Sequence, residues 1–293
     1  MRARRPEGDL ASFMAHAVRQ GGVDFHLHSL YSDGAQTPEE LLDQALDHGL
    51  WAFSLTDHDS LEGVPLIRRA LAQRPQARDL IFIPGVECSA RFEDQEVHIL
   101  GYFDQDQPPA MLAYLKGQAR DRFRRNEAMM ARLRDLGYPI RAEDLLTYGH
   151  ARTMPGRVHM ALWLVDRGYF DSVEAAFQAL LDEGRPAFVY RERRQVEEVA
   201  GVIRQSGGLA VLAHPQQYGW CQDPASPQTA EELVRRFSLF KEAGLIGIEC
   251  FHGEATKEES ALMAREAEAL AMICTAGSDS HGRPGRHAPM FRA

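Results

Sequence analysis

The sequence predicts an α/β fold in which parallel strands form an open sheet or a barrel. Seven stretches have the features of short buried strands, and most end in a residue that can bind a metal ion. Segments with helical spacing of apolar residues alternate with them, which is typical of parallel strands joined by right-handed crossovers. Such folds bring their strand ends to one rim, where the active site usually lies. Distant residues are therefore expected to meet there.

The first strand ends in the segment His26-Leu27-His28, followed at once by Asp33. Side chains two positions apart on a strand point the same way, so both histidines can bind one cation. The next segment predicts a helix, because Thr37 is a suitable N-cap, Pro38 follows it and Gly49 ends the pattern.

The later strands end in similar residues. They carry Asp57, His58 and Asp59 after 52–55, Glu87 after 81–86, His98 within 97–100, His214 after 208–213, Glu249, and Asp279 and His281 after 272–276. Helices are predicted at 61–71, 196–205, 230–243 and 257–270. Asp57, Asp59 and Glu249 fit two roles equally: orienting ligand imidazoles or capping the helices that follow.

One gap interrupts the alternation. Between Phe103 and Val189 there is no convincing strand, whereas 111–136 and 158–181 have helical apolar spacing. We interpret residues 105–186 as a helical insertion that covers the rim, and residues 23–104 and 187–293 as the metal-binding barrel. Residues 1–22 are an N-terminal extension, which fits either a helix or a disordered segment.

Composition favours a cytoplasmic protein that binds no membrane. No apolar run approaches the ~20 residues that a membrane span requires, and the arginine-rich N-terminus lacks the apolar region of a signal peptide. The cysteines Cys88, Cys221, Cys250 and Cys274 show no metal-site spacing and are expected to be buried free thiols. A net charge of −9 argues against binding long duplex nucleic acid. No obligatory protein partner is evident.

The segment 120–134 differs from the negatively charged chain as a whole, because its arginines outnumber its acidic residues. A solvated helix face is the ordinary explanation of such a run. Its position in the predicted insertion favours the alternative, an anion-binding surface.

These motifs resemble those of the PHP (polymerase and histidinol phosphatase) superfamily. The resemblance rests on His26-Leu27-His28 with Asp33, Thr56-Asp57-His58, Gly85-Val86-Glu87, His98, Ala213-His214-Pro215 and 277–281. Within the superfamily, the segment 29–34, the helical insertion and its residues Arg122, Arg125, Met129 and Leu133 are similar to the nucleoside 3′,5′-bisphosphate phosphatases, which include the ribonuclease AM exonucleases. Arg157 and His159 also resemble a family Arg-x-His element, although Val158 departs from the small or kinking residue expected between them.

The resemblance implies a distorted seven-stranded (β/α)7 TIM-like barrel with two to three divalent metal ions. His26, His28, Glu87 and Asp279 would hold the first ion, and Asp33, His58 and His281 the second. Glu87 would bridge to a third ion held by His98 and His214. Nitrogen and oxygen ligands without thiolates favour Mn²⁺, with Fe²⁺, Zn²⁺ and Mg²⁺ as alternatives. Taken alone, a histidine such as His98 is more often a core residue, but nine compatible residues at strand ends favour a metal site.

The remaining histidines, His16, His48, His150, His252 and His287, fit no motif and are expected to be surface or packing residues.

The predicted function is a metal-dependent phosphoesterase in which a metal-bridged hydroxide attacks phosphorus. The substrate would be a nucleoside 3′,5′-bisphosphate, or the 5′ end of short RNA removed in the 5′–3′ direction. Arg122, Arg125 and Arg157 would bind a second phosphate, because bidentate guanidinium suits it. His159 would be their neighbour or a general acid for the leaving oxygen. The alternatives are a phosphatase for a non-nucleotide monoester such as histidinol phosphate, and a non-catalytic, metal-stabilised module.

Overall fold

A computed structural model describes residues 9–148 and 155–283, and seven strands are present in it. They are β1 (Val23–Asp24), β2 (Ala52–Leu55), β3 (Ile81–Phe92), β4 (Gln95–Tyr102), β5 (Leu209–Leu212), β6 (Gly247–His252) and β7 (Ile273–Gly277). Each strand pairs with the next in chain order. Beyond β1, the Phe25 N–H donates to the Ala276 carbonyl at 2.9 Å and the His28 N–H to the Ser280 carbonyl at 3.0 Å. The sheet is therefore a nearly closed barrel, and the α/β prediction is confirmed.

The prediction of parallel strands is wrong for β4, which is antiparallel to both β3 and β5. Only Glu93 and Asp94 separate β3 from β4. A parallel connection needs a crossover of a dozen or more residues, whereas a hairpin needs two. The reversal brings the first half of β4, with His98, to the rim where the other strands end.

The helices fill the remaining connections. They are α1 (Leu10–Gln20), α2 (Pro38–Asp47), α3 (Val64–Gln73), α4 (Pro109–Asp135), α5 (Ala142–Leu145), α6 (Arg157–Asp166), α7 (Val173–Ala176), α8 (Val196–Gln205), α9 (Pro227–Glu242) and α10 (Lys257–Ala269). The predicted N-cap of α2 is present: the Glu40 N–H donates to Thr37 Oγ1 at 3.2 Å and the Thr37 N–H donates to the Glu40 carboxylate at 2.8 Å. Among the described residues, no helix combines the length and apolarity that crossing a bilayer would require.

Two faces of the sheet form separate cores. Alternate strand residues such as Phe82, Ile99 and Leu212 pack against the surrounding helices, while their neighbours Ile83 and Leu100 point to the opposite face and pack together. This second core also contains the apolar side of α1, which therefore covers the barrel. Of the two possibilities for the N-terminal extension, residues 10–20 are a helix.

The region between β4 and β5 has a third apolar core, built around Met129, Leu133, Met160, Trp163 and Leu181. The first turns of α4 pack on the barrel instead, through Met111 and Leu115. The described part of 105–186 contains no strand. Its treatment as a separate domain stays a prediction.

Candidate functional site

All nine predicted metal ligands lie at one rim of the barrel, and we call this set the ligand rim: His26, His28, Asp33, His58, Glu87, His98, His214, Asp279 and His281. Loops after β1, β2, β5 and β7 supply seven of them, while Glu87 lies in β3 and His98 in β4.

The first predicted group, His26, His28, Glu87 and Asp279, has its ligand atoms within 4.8 Å of one another. His28 Nε2 lies 3.2 Å from Glu87 Oε2 and 3.1 Å from Asp279 Oδ1. His26 Nε2 lies 3.4 Å from each of the same two atoms. This set of two imidazoles and two carboxylates has the geometry of one cation site.

The second predicted group, Asp33, His58 and His281, also converges, and His28 joins it. His281 Nε2 is 3.2 Å from Asp33 Oδ1, and His58 Nε2 is 4.0 Å from the same oxygen. His28 was assigned to the first ion alone, but its ring also lies 4.2 Å from that of His281, centroid to centroid. The two groups are therefore adjacent.

The third predicted group surrounds the other oxygen of Glu87. His98 Nδ1 is 2.8 Å and His214 Nε2 is 3.0 Å from Glu87 Oε1, and the two nitrogens are 3.3 Å apart. His58 approaches this group too, with Nδ1 2.9 Å from Glu87 Oε2. Glu87 thus belongs to the first and third groups, and His58 of the second group lies beside it.

The buried polar atoms of the ligand rim show whether the rim suits divalent cations. Among the described residues, His26 Nε2, His28 Nε2, Glu87 Oε2 and Asp33 Oδ1 are buried and form no hydrogen bond of acceptable geometry, although other ligand atoms of the rim lie close to them. Burial of such groups is costly unless they are paired or bind a metal. Since these atoms face one another, and none is a thiol, divalent cations fit the set.

The pKa shifts of the rim residues also agree with the binding of divalent cations. Burial alone would raise the pKa of Glu87, but the imidazoles of His58, His98 and His26 hold it well below its usual range. Conversely, the two carboxylates beside His28 overcome burial and raise the pKa of His28 to about 10. The carboxylates therefore demand positive charge at their centre, which a divalent ion supplies.

Hydrogen bonds to residues outside the ligand set fix the orientation of the ligand side chains. Glu249 accepts from His26 Nδ1 at 3.0 Å and from the His214 N–H at 2.8 Å. Of the two roles open to it, Glu249 therefore orients an imidazole, as metal-binding histidines commonly require. Gly277 makes the close approach of β7 possible, because a Cβ there would lie 2.2 Å from His26 Cβ.

Asp57 and Asp59 have neither of the two predicted roles, which were to orient a ligand imidazole or to cap the helix that follows. Asp57 accepts from Ser29 Oγ at 2.7 Å and Ser32 Oγ at 2.6 Å, which holds the turn before Asp33. Asp59 forms an ion pair with Arg122. The cap position of α3 is occupied by Gly63 instead.

His252 is not simply a packing residue. It is 4% exposed and its Nε2 lies 3.7 Å from Asp279 Oδ2. Its position at the end of β6, beside β7, places it against the ligand rim, but its sequence context matched no motif. His150 and His287 lie outside the described residues.

Five arginines line the cavity beside the ligand rim, and we call them the arginine cluster: Arg122, Arg125, Arg157, Arg191 and Arg193. Sequence analysis missed Arg191 and Arg193. Their spacing at alternate positions is the signal that could have found them, since in an extended chain it would direct both side chains the same way.

Two carboxylates partly neutralise the cluster. Asp59 pairs with Arg122 and lies 3.7 Å from Arg191, while Glu96 accepts from Arg193 through two nitrogens, at 2.7 and 2.5 Å. Arg125 is 8% exposed, and its Nε donates to the neutral Asn126 side chain at 3.0 Å. Burial, together with the other four guanidinium groups, lowers the pKa of Arg125 to about 8. A bound anion would relieve this concentration of positive charge.

His159 lies in the same cavity. The Gly156 N–H donates to its Nδ1 at 3.1 Å, so the neutral ring carries its proton on Nε2. Burial, with Arg283 and Arg122, lowers the pKa of His159 to about 4 despite Asp33. At neutral pH this side chain is a neutral hydrogen-bond donor, which favours substrate binding over the general-acid role.

The four cysteines are free, as expected; Cys88, Cys221 and Cys250 are buried and Cys274 is half-buried.

Several known proteins are similar to this chain over most of its length. A family model described as the PHP domain matches residues 24–274. The chain is 32% identical over 267 residues to a 3′,5′-nucleoside bisphosphate phosphatase from Chromobacterium violaceum, covering 90% of this chain and 89% of the relative. It is 30% identical to the 5′-3′ exoribonuclease Rnm of Escherichia coli, covering 88% and 84%. A phosphoribosyl 1,2-cyclic phosphate 1,2-diphosphodiesterase from Eggerthella lenta is 33% identical, covering 90% and 95%.

Two solved structures share the fold. An amidohydrolase from Chromobacterium violaceum, with sulfate bound and no metal, has a TM-score of 0.77 and 30% identity, covering 91% of this chain and 89% of that one. A putative metal-dependent phosphoesterase from Bifidobacterium adolescentis has a TM-score of 0.74 and 26% identity, covering 92% of both chains.

Proposed function

The chain belongs to the PHP domain family, and from this premise we propose that it is a metal-dependent phosphoesterase acting on nucleoside 3′,5′-bisphosphates and on the 5′ end of short RNA. One observation carries the proposal: the ligand rim and the arginine cluster line the same cavity, of ≈ 280 Å³. A cation site beside an excess of guanidinium groups suits a substrate with two phosphates. Both substrate types are named for relatives of this chain.

The ligand rim would hold two to three divalent ions, most simply Mn²⁺, because its ligands mix imidazole with carboxylate and include no thiolate. Fe²⁺, Zn²⁺ and Mg²⁺ are the alternatives. When bound, such ions lower the pKa of water and offset charge that develops on the phosphoryl oxygens. The mutual distances of His26, His28, Glu87 and Asp279 support the assignment of these four residues to the first ion.

The arginine cluster would bind the phosphate that is not cleaved. Arg125 has no carboxylate within salt-bridge distance among the described residues and is the best placed to accept an anion. Arg157 lies over the rings of Phe177 and Phe188, 5.7 and 5.8 Å from their centroids, which holds its guanidinium near the cavity. His159 would donate its Nε2–H to the substrate. These groups bind and orient the substrate, and none is a nucleophile.

The helical insertion would supply the second wall of the site. Arg122 and Arg125 come from α4, and Arg157 and His159 come from α6. Since α4 packs on the barrel at one end and in the third core at the other, it links the two parts of the cavity.

Purified protein assayed with Mn²⁺ tests the proposal. The panel contains a nucleoside 3′,5′-bisphosphate, a short 5′-phosphorylated RNA, phosphoribosyl 1,2-cyclic phosphate and histidinol phosphate. We expect turnover of the first two, abolished by a chelator and restored by Mn²⁺. Preference for the cyclic ester would assign the chain to the activity named for the Eggerthella lenta relative. Preference for histidinol phosphate, or no turnover at all, would overturn the proposal.

A further inference from the structure

A second cavity adjoins the site. It has a volume of ≈ 400 Å³ and lies between the loop after β2 and the first half of α4. His58 and Arg122 line both cavities. The two cavities therefore meet beside the ligand rim, at His58, and next to the arginine cluster, at Arg122.

The walls of the two cavities differ in charge. Asp59 and Arg122 pair with each other in the second cavity, and exposed Glu62 and Lys116 are of opposite sign. The remaining wall includes Leu61, Leu112, Leu115 and Ala119, of which Leu112 is 37% exposed. This cavity is therefore neutral overall and partly apolar, unlike the one that holds the arginine cluster. Such a surface suits a base and ribose better than a phosphate.

The two proposed substrates differ in the group that lies beyond the cleaved phosphate, on the side of the second cavity. In a nucleoside 3′,5′-bisphosphate, the 5′-phosphate would bind the arginine cluster and the terminal 3′-phosphate would lie at the ligand rim. In an oligonucleotide bound in the same way, the phosphate at the rim carries a further nucleoside through its 5′ oxygen. Only the oligonucleotide therefore has a group that could occupy a cavity beyond the rim.

We propose that the second cavity binds the nucleoside on the far side of the cleaved phosphate when a 5′-phosphorylated oligonucleotide is the substrate. The proposal rests on the proposed function. A water oxygen bonds to phosphorus, the bond from phosphorus to the 3′ oxygen breaks, and that oxygen leaves with a proton. The products are a nucleoside 5′-monophosphate and a chain that keeps a 5′-phosphate, ready for another round.

Two substrates isolate the second cavity. Adenosine 3′,5′-bisphosphate and the dinucleotide pApA share the first nucleoside and both phosphates, and they differ only in the adenosine beyond the cleaved phosphate. Ala119→Phe fills the second cavity from α4. Ala128→Phe adds the same group to an exposed position of α4 that lines neither cavity and serves as the control.

We expect the parent protein to cleave both substrates. Ala119→Phe should lower kcat/KM for pApA by about tenfold or more and leave the bisphosphate within about twofold, while Ala128→Phe changes neither. Leu112→Ala, at an exposed position that does not threaten folding, should lower kcat/KM for pApA alone by about threefold to fivefold.

Three results would overturn the inference. They are a parent that cleaves the bisphosphate but not pApA, equal losses on both substrates in Ala119→Phe and Leu112→Ala, and no loss on either substrate. In each of them the parent still hydrolyses the bisphosphate, so the metal-dependent phosphatase activity of the proposed function survives; the first of them removes the activity on RNA. A parent that cleaves neither substrate removes both the function and the inference.

Discussion

The ligand rim and the arginine cluster face the same cavity but are built in opposite ways. The rim consists of short side chains at strand ends, hydrogen-bonded from behind by groups such as Glu249. The arginine cluster consists of long side chains from α4, α6 and the segment before α8, held by Asp59, Glu96 and two aromatic rings. The rim is thus suited to fix metal geometry, and the cluster to recognise charge on the substrate. Substitutions in the two regions should therefore impair activity in different ways.

The largest effect is expected from Glu87→Gln. Glu87 lies within 3.4 Å of His26, His28, His58, His98 and His214. Loss of its charge should lower kcat about 10³-fold or more on every phosphoester, because divalent metals supply several kcal/mol of charge stabilisation. Bound metal measured by elemental analysis should fall as well. Full metal content with normal kcat would show that the rim is not the metal site.

Arg125→Ala tests the other region. We expect kcat/KM for adenosine 3′,5′-bisphosphate to fall about 10²-fold, since truncating a buried partner of a charge pair costs roughly 2–5 kcal/mol. Hydrolysis of 3′-AMP, which lacks the second phosphate, and metal content should change little. Arg124→Ala, at the exposed neighbouring position of α4, is the control. Equal losses on both substrates would place Arg125 outside phosphate recognition. Arg157→Ala should give the same pattern more weakly.

Glu249→Gln should impair metal binding at the ligand rim less than Glu87→Gln does. It keeps the shape of the side chain but weakens the hydrogen bond to His26 Nδ1, and loss of such support typically costs about 10–100-fold in metal affinity or activity. A titration of metal-free protein with Mn²⁺ should show weaker activation, with kcat partly recovered at saturating metal. If the activation curve does not move, Glu249 has only a structural role.

The smallest effect concerns the pH dependence of stability. The pKa of His159 is lowered to about 4 in the folded protein, whereas an unfolded histidine titrates near ~6.5. Between these values the unfolded chain binds the additional proton, so the stability that this histidine contributes is present above pH ~6.5 and is lost as pH falls towards ~4.

Replacing His159 by Gln should therefore reduce the fall in Tm between about pH 7.5 and 5.5 by a few degrees. Thermal unfolding of the parent and the variant in the same buffers measures the difference, in which other titrating groups cancel. Parallel Tm curves would show that His159 is not held neutral by burial and the neighbouring arginines.

The contrast between the two regions also explains what sequence analysis could reach. Residues such as His26, His28 and Asp279 were identified because strand periodicity and strand ends fix both direction and location. Arg191 and Arg193 were missed because their segment has no regular structure to give it a place. The antiparallel β4 was missed as well, since the expected alternation of strands and helices outweighed the short connection at Glu93.

The sequence by itself determined the α/β class, the strand ends and the chemical types of the nine rim residues, because each depends on local pattern. The tertiary structure alone decided that the sheet closes, that His28 is shared by two ligand groups, and that Arg122 pairs with a carboxylate whereas Arg125 has none within salt-bridge distance among the described residues. It also decided that a neutral cavity opens beyond the rim. These features depend on distances between residues far apart in the chain, which packing sets and local pattern does not encode.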